Sequence, residues 1–342
     1  ALGHHYVNGF CTVCGAKDSY YDTTLKFKSV SLTLESNLSM NFYVRDTVLD
    51  GWEKPYVLFT KAIYDVNGNV IDYKNETVTE FTLKPDSAGV ACHAYRFAGV
   101  TSQEMGSVVT ATLYASKNGH LYQGKTVEYS VLKYATNMFA KTNDDTFKTL
   151  LIDLLNYGAA SQVYFDYNTA NLVNAGLTAE QQAYATVDVP NVTSHTKLIK
   201  NDGATVSFKS VSLILQDKVT MNYYLNLSSY TGSVSDLELH VQYTDTYGKT
   251  RTEVIDNSEF EYKLYNGAYY YVANFSSLYA MQMREECTAE VFSKATGKRI
   301  SNTVIYSIES YVASKSNAED EKLVALVLSM MKYGDAAKAF FV

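Results

Sequence analysis

The stretches FKSVSLTLESNLSMNFYV (27–44) and FKSVSLILQDKVTMNYYL (208–225) decide how this 342-residue chain is read. Phe27, Val30, Leu32, Met40, Asn41 and Tyr43 fall opposite Phe208, Val211, Leu213, Met221, Asn222 and Tyr224 at a constant offset of 181. Downstream, Phe97 and Met105 match Phe275 and Met283 at an offset of 178. TVEYSV (126–131) then matches TVIYSI (303–308), and Tyr157-Gly158 matches Tyr333-Gly334. The offset shrinks in steps, as loop deletions in the second copy would produce. Two copies of this size are a duplicated domain rather than a solenoid, whose repeats are shorter and more numerous.

The front of each copy reads as β-structure. VSLTL and MNFYV alternate or run apolar with β-branched and aromatic residues. AIYDVNGNVIDY (62–73) is a hairpin around Asn-Gly, and HVQYTDTYGKTRTEV (240–254) turns at Gly248. A further strand, turn and strand are read over 107–131 and again over 287–308. Strands at this spacing point to a small sandwich. The back of each copy is helical. A short helix near 132–140 precedes a longer one from Asp144, whose Phe147, Leu150, Leu151, Leu154 and Gly158 form one stripe. Leu323, Leu326, Val327, Met330 and Gly334 repeat that stripe, with SNAE (316–319) as a capping box. A glycine inside such a stripe costs about 1 kcal/mol relative to alanine. Its presence predicts close approach of a neighbouring element. Another short helix is read at 178–185, before an extended segment at Pro190.

The fold class expected from this pattern is α+β: two tandem repeats, each a small antiparallel β-sandwich followed by a helical hairpin. The expected boundaries are a His/Cys element at 1–20, repeat 1 at 21–189 and repeat 2 at 190–342.

Hydrophobic residues make up 46% and charged residues 19%, the balance of a globular chain. The net charge of −7, with both signs dispersed, argues against a nucleic-acid surface, which needs clustered Lys and Arg. No apolar run approaches a membrane span, so no membrane insertion is expected. No GxSxG, HExxH, Walker or Rossmann pattern occurs, and the chain is read as non-enzymatic.

GHHYVNGFCTVCGA (3–16) carries the one metal-like constellation. Cys11 and Cys14 have knuckle spacing and His4 and His5 lie just upstream, a candidate structural zinc set. The same spacing also fits a Cys11–Cys14 disulfide or a plain tail. Cys287, opposite Val109, reads as a buried apolar thiol. The 30 tyrosines supply the ligand-binding candidates: Tyr223, Tyr224, Tyr269, Tyr270 and Tyr271, where rigid ring area is joined to a hydroxyl. In an alternating strand, half of such rings instead face the core.

HHYVNGFCTVCGA (4–16), SVSLTLESNLSMNFYV (29–44) and LLNYGAASQVYFDYNTANLVNAGL (154–177) together resemble a family of large secreted or wall-anchored proteins of gut Clostridia. Those proteins carry a short His/Cys element and repeated β-plus-helix modules ending in a Tyr-Gly-Ala-Ala helix. Two departures stand out. Asp335 stands where the resembled helix has Ala, and His4 and His5 abut where the element separates its histidines. The resemblance implies an extracellular location, secreted or attached to a Gram-positive wall. It also implies a non-enzymatic module that presents or spaces a binding surface. A host protein is the partner it implies, in sharpest form an immunoglobulin variable domain bound as by a superantigen. The alternatives are a carbohydrate-binding region of a larger glycan-degrading protein and a ligand-free spacer.

Overall fold

The computed structural model describes residues 6–34, 38–86, 88–187, 190–216 and 218–342. The chain divides into two compact units. One comprises the chain up to Asn143 together with Phe165–Gly176; the other comprises Asp144–Tyr164 and Leu177–Val342.

The first unit is built on two antiparallel sheets. One has the order Ser29–Thr33, Ser39–Arg45, Ala91–Phe97, Thr82–Pro85. The other has the order His120–Gln123, Val109–Lys117, Glu53–Tyr64, Val70–Val78, and Val127–Tyr129 also pairs with 109–117. Alternation along the strands sorts the side chains. Met40, Phe42 and Val44 turn inward, as do Val57 and Phe59, and Val109, Ala111 and Leu113. The Phe42 and Phe59 rings meet at 5.1 Å between centroids and Phe59 meets Phe97 at 5.2 Å, which ties the sheets together.

In the second unit, the four-stranded sheet has the order Ser207–Ile214, Thr220–Asn226, Ala268–Phe275, Glu261–Tyr265. Its companion runs Lys197–Ile199, Thr303–Tyr306, Cys287–Ser293, Leu237–Thr244, Thr250–Asp256. Met221, Tyr223 and Leu225 are buried with Phe275, as are Leu239, Val241, Ala289 and Val291 of the companion sheet.

Five helices lie among the described residues: α1 (Val131–Phe139), α2 (Asp145–Tyr164), α3 (Ala179–Val187), α4 (Ile308–Lys315) and α5 (Glu321–Phe341). Their placement overturns the expected fold class. Strand residues outnumber helical ones. The helix read as closing the first copy, α2, belongs with the second unit and packs along α5. The chain is therefore not a pair of self-standing sandwich-plus-hairpin repeats. The physical reason lies in α2 itself. Leu150, Leu151, Leu154, Leu155 and Tyr157 are buried, and so are Asp153, Asn156, Ser161 and Gln162. A helix covered on nearly every side needs more partners than one sheet face provides.

The start of α5 also differs from the expected SNAE box. Asp320 is the N-cap, its carboxylate accepting from the Lys322 and Leu323 amides at 3.1 Å, while Ser316 closes α4. A carboxylate at that position satisfies orphan donors and complements the positive end of the helix dipole.

Candidate functional site

EYKLYNGAYYYVANF (261–275) forms the outer hairpin of the second unit's four-stranded sheet. Asn266 and Gly267 make the turn with φ of 48° and 82°, the left-handed pair that a two-residue hairpin requires. This turn fixes the register: Tyr262 opposite Tyr271 and Leu264 opposite Tyr269. With a period of two, these four side chains share one face. Tyr262 is 61% exposed, Leu264 61% and Tyr269 58%. The Tyr262 ring stacks on Tyr269 at 5.1 Å and leans on Tyr271 at 4.9 Å. The result is a pre-formed aromatic patch on paired strands, with little side-chain entropy left to lose on binding.

The opposite face of the hairpin is polar and internally bonded. The Tyr265 hydroxyl donates to Ser210 Oγ at 3.1 Å, and its ring lies 4.4 Å from that of Tyr224. Tyr270 is half-buried beside Tyr265, with ring centroids 6.3 Å apart. The hairpin's one carboxylate, Glu261, is ion-paired to Lys263.

Of the tyrosines expected to bind, Tyr269 is freely exposed, and Tyr270 and Tyr271 are half-buried on opposite faces. Tyr223 is a correction. It is fully buried among the core residues, and that burial pushes its hydroxyl well above the usual tyrosine range. Tyr224 is a second correction, buried beneath Tyr265 with its hydroxyl 3.5 Å from Ser212 Oγ. Neither offers a surface. Tyr262 and Leu264, which the sequence reading missed, complete the patch. The available signal was the Asn-Gly turn, which makes 262 and 271 cross-strand neighbours.

In the first unit, the equivalent edge strand Thr82–Pro85 exposes Leu83, beside Phe81 stacked on His93 at 3.8 Å. Another ring group joins Tyr20, His120, Tyr122 and Trp52, but the Lys117 ammonium sits 5.0 Å over the Trp52 ring and covers it.

In the N-terminal element, Tyr6–Val7 pairs with Phe10–Cys11. The Cys11 amide donates to the Ala16 carbonyl at 2.8 Å and the Gly15 amide to the Cys11 carbonyl at 2.9 Å, folding 11–16 into a tight loop. Cys11 is buried and Cys14 exposed. His4 and His5 lie outside the described residues, and among the described residues no three His, Cys, Asp or Glu side chains converge as a metal site. The loop carries two thiols, one buried and one exposed. Cys92 and Cys287 are free, buried thiols, and burial pushes that of Cys287 up to about 12.

No helix among the described residues is long and apolar enough to cross a membrane. No protein-family model and no curated protein matches the chain. Two solved structures of a family 64 laminaripentaose-producing β-1,3-glucanase from Paenibacillus barengoltzii are similar to it. One of them is complexed with laminarihexaose. Each is 10% identical over 78% of this chain, with a TM-score of 0.18. The chain spans about half of their length, 47% of that chain in each case.

Proposed function

We propose that the chain is a non-catalytic binding module of an extracellular bacterial surface protein, and that its ligand is a glycan. The observation that carries this reading is the patch of Tyr262, Tyr269 and Tyr271 with Leu264. The Tyr262 and Tyr269 rings stand exposed, with Tyr271 half-buried beside Tyr262, on a strand pair whose geometry is set before any ligand arrives. Planar rings take the apolar face of a sugar, and phenol hydroxyls meet its polar edge. Binding rather than catalysis is favoured because the hairpin presents rings and hydroxyls, with its single carboxylate held by Lys263. The surface location rests on the family resemblance of the sequence.

A glycan array spanning mucin, starch and plant polysaccharides tests the reading. The chain should bind at least one class, and Tyr262→Ala with Tyr269→Ala should weaken that binding by about tenfold or more, about 1.4 kcal/mol. Both rings are largely solvent-exposed, so thermal unfolding should stay within a few degrees of the parent. A blank array removes the glycan reading.

A second reading draws on the edge position of Glu261–Tyr265, which among the described residues pairs on one side only, with Ala268–Phe275. An open edge beside exposed Tyr262 and Leu264 can accept a strand from a protein partner. Immunoglobulin variable domains are the partner class suggested by the family resemblance. A Fab panel on a biosensor tests it, and silence at micromolar concentration excludes it.

A further inference from the structure

In the first unit, Val70–Val78 is the edge strand of its sheet, and among the described residues it pairs on one side only, with Glu53–Tyr64. All residues from Val70 to Asn75 are exposed, Ile71 at 64% and Tyr73 at 58%. An open strand is a template for another strand, and proteins blunt such edges with proline, bulges or charge. This edge holds no proline, and its bulge falls at its beginning, opposite Ile63 and Tyr64. From Asp72 to Val78 the ladder is regular. What remains is charge: Asp72, Lys74 and Glu76, on one face of the strand.

Two hydrogen bonds show which backbone groups face the open side. Ala62, opposite Tyr73, donates its amide to the Val108 carbonyl at 3.2 Å, away from the edge strand. The Tyr73 amide donates to its neighbour's carboxylate, Asp72 Oδ1, at 2.8 Å. Tyr73 is therefore not bonded to Glu53–Tyr64, and by the alternation of an antiparallel ladder neither are Asn75 and Thr77. Their amides and carbonyls point to the open side.

The order of the charges selects both occupant and register. Two copies related by a twofold axis would pair antiparallel, each offering the same strand. An axis at Asp72, Lys74 or Glu76 sets a charge against itself. An axis at Asn75 sets Lys74 against Glu76 twice and Tyr73 against Thr77 twice, both favourable cross-strand pairs. An axis at Tyr73 also joins opposite charges, but it forces the pairing through the bulge. Asn75 is the midpoint of the regular stretch. Lys61, across the ladder from Lys74, is held by Glu104 at 2.6 Å, whereas Lys74 and Glu76 are in no ion pair among the described residues. The corresponding edge of the second unit, Thr250–Asp256, is different: its Arg251 is already held by Asp245 at 2.7 Å.

We propose that Val70–Val78 is a self-association edge, to which a second copy of this chain adds its own Val70–Val78 about an axis at Asn75, with Lys74 of each copy on Glu76 of the other. One strand pair buries little area, so the dimer is weak and reversible, in the class below about 1,200 Å².

Sedimentation velocity of the full chain from about 1 µM to about 1 mM tests it. The mass should rise from that of one chain, 38.1 kDa, towards twice that value. Glu76→Lys and Lys74→Glu should each weaken association by about tenfold or more, and the double swap should restore it. An axis at Tyr73 predicts no such restoration, because Asp72 would then face Glu. A second measurement is independent of these charges. Asn75→Cys, in a Cys14→Ser background, puts equal residues across the axis with Cα atoms about 5.5 Å apart, within disulfide reach. Mild oxidation should give a covalent dimer, and Thr77→Cys should give little. A mass of one chain at every concentration, or association untouched by both single charge variants, would overturn the proposal. A double swap that folds like the parent and stays monomeric would overturn the axis at Asn75.

Discussion

Tyr157 and Tyr333 lie ring over ring, centroids 5.9 Å apart and planes inclined by 14°. The Tyr-Gly motif that the sequence writes twice is therefore brought together with itself: α2 and α5 run along each other and bury the repeated tyrosines. Burial, with Tyr157 alongside, raises the Tyr333 hydroxyl far above the usual tyrosine range. Next to that stack, Gly334 performs a second task. A Cβ there would lie 2.9 Å from the Ala280 carbonyl oxygen and 2.9 Å from Met283 Sδ.

Gly334→Leu should consequently lower the stability of the second unit by roughly 1–3 kcal/mol, because the backbone at Ala280 cannot give way as a side chain can. Urea denaturation followed by circular dichroism measures it. A midpoint equal to that of the parent would show that α5 shifts without cost.

Stability should also fall in alkali. Burial holds the hydroxyls of Tyr95 and Tyr306 up to about 12, against 10.0 for a free tyrosine, and the Cys287 thiol up to about 12 from 9.0. The folded state thus retains protons that the unfolded chain releases. The stabilisation is complete below pH 9, starts to fall as unfolded Cys287 ionises, and is lost as pH rises through about 12. Urea midpoints between pH 7 and 11 should be flat and then decline from about pH 9. A flat profile to pH 11 would contradict these burial assignments.

Parts of this organisation were legible in the sequence because they are local. Hairpins with Asn-Gly turns and the helix starts at Asp144 and Thr178 depend on a few adjacent residues. The destination of α2 was not local. Its stripe names a buried face without naming the partner, and the further buried residues Asp153, Asn156 and Gln162 lie outside any apolar pattern. Among the tyrosines, composition counts rings but does not assign faces. Tyr223 and Tyr224 went to the core and to a covered position, while Tyr262 joined the exposed patch through a register that only the turn defines.

Asp335, the residue that departs from the resembled Ala, has a partner that no motif could reveal. Arg284 grips it with two hydrogen bonds of 2.7 and 2.8 Å, and also pairs with buried Glu309 and donates to the Asn191 carbonyl at 2.9 Å. The Thr193 amide meets the same Glu309 at 3.1 Å, so one guanidinium fastens α4, α5 and the segment that precedes the Lys197–Ile199 strand. Arg284→Ala leaves Glu309 buried without that cation and should destabilise by roughly 1–3 kcal/mol. Asp335→Ala, at a more exposed position, should cost less, about 1 kcal/mol or below. Equal losses in the two variants would locate the effect in the Asp335 pair alone.

The N-terminal loop makes the final prediction. Cys11 and Cys14 bracket a turn closed by the Gly15 amide, and with His4 and His5 just upstream they are the candidate ligands of a structural zinc. A structural zinc needs four ligands, and two thiolates with two imidazoles would form a closed site of about 2.0–2.3 Å bonds. Protein purified with zinc and dialysed should retain about one ion per chain, and Cys14→Ser should release it. Cys14 is exposed, so the substitution alone disturbs no core packing. His4→Ala and His5→Ala then divide the remaining ligands: the variant that loses zinc identifies the histidine in use. If dialysed protein holds no zinc while its thiols react freely with Ellman's reagent, the metal is excluded. Thiols that become reactive only after reduction would instead indicate a Cys11–Cys14 disulfide.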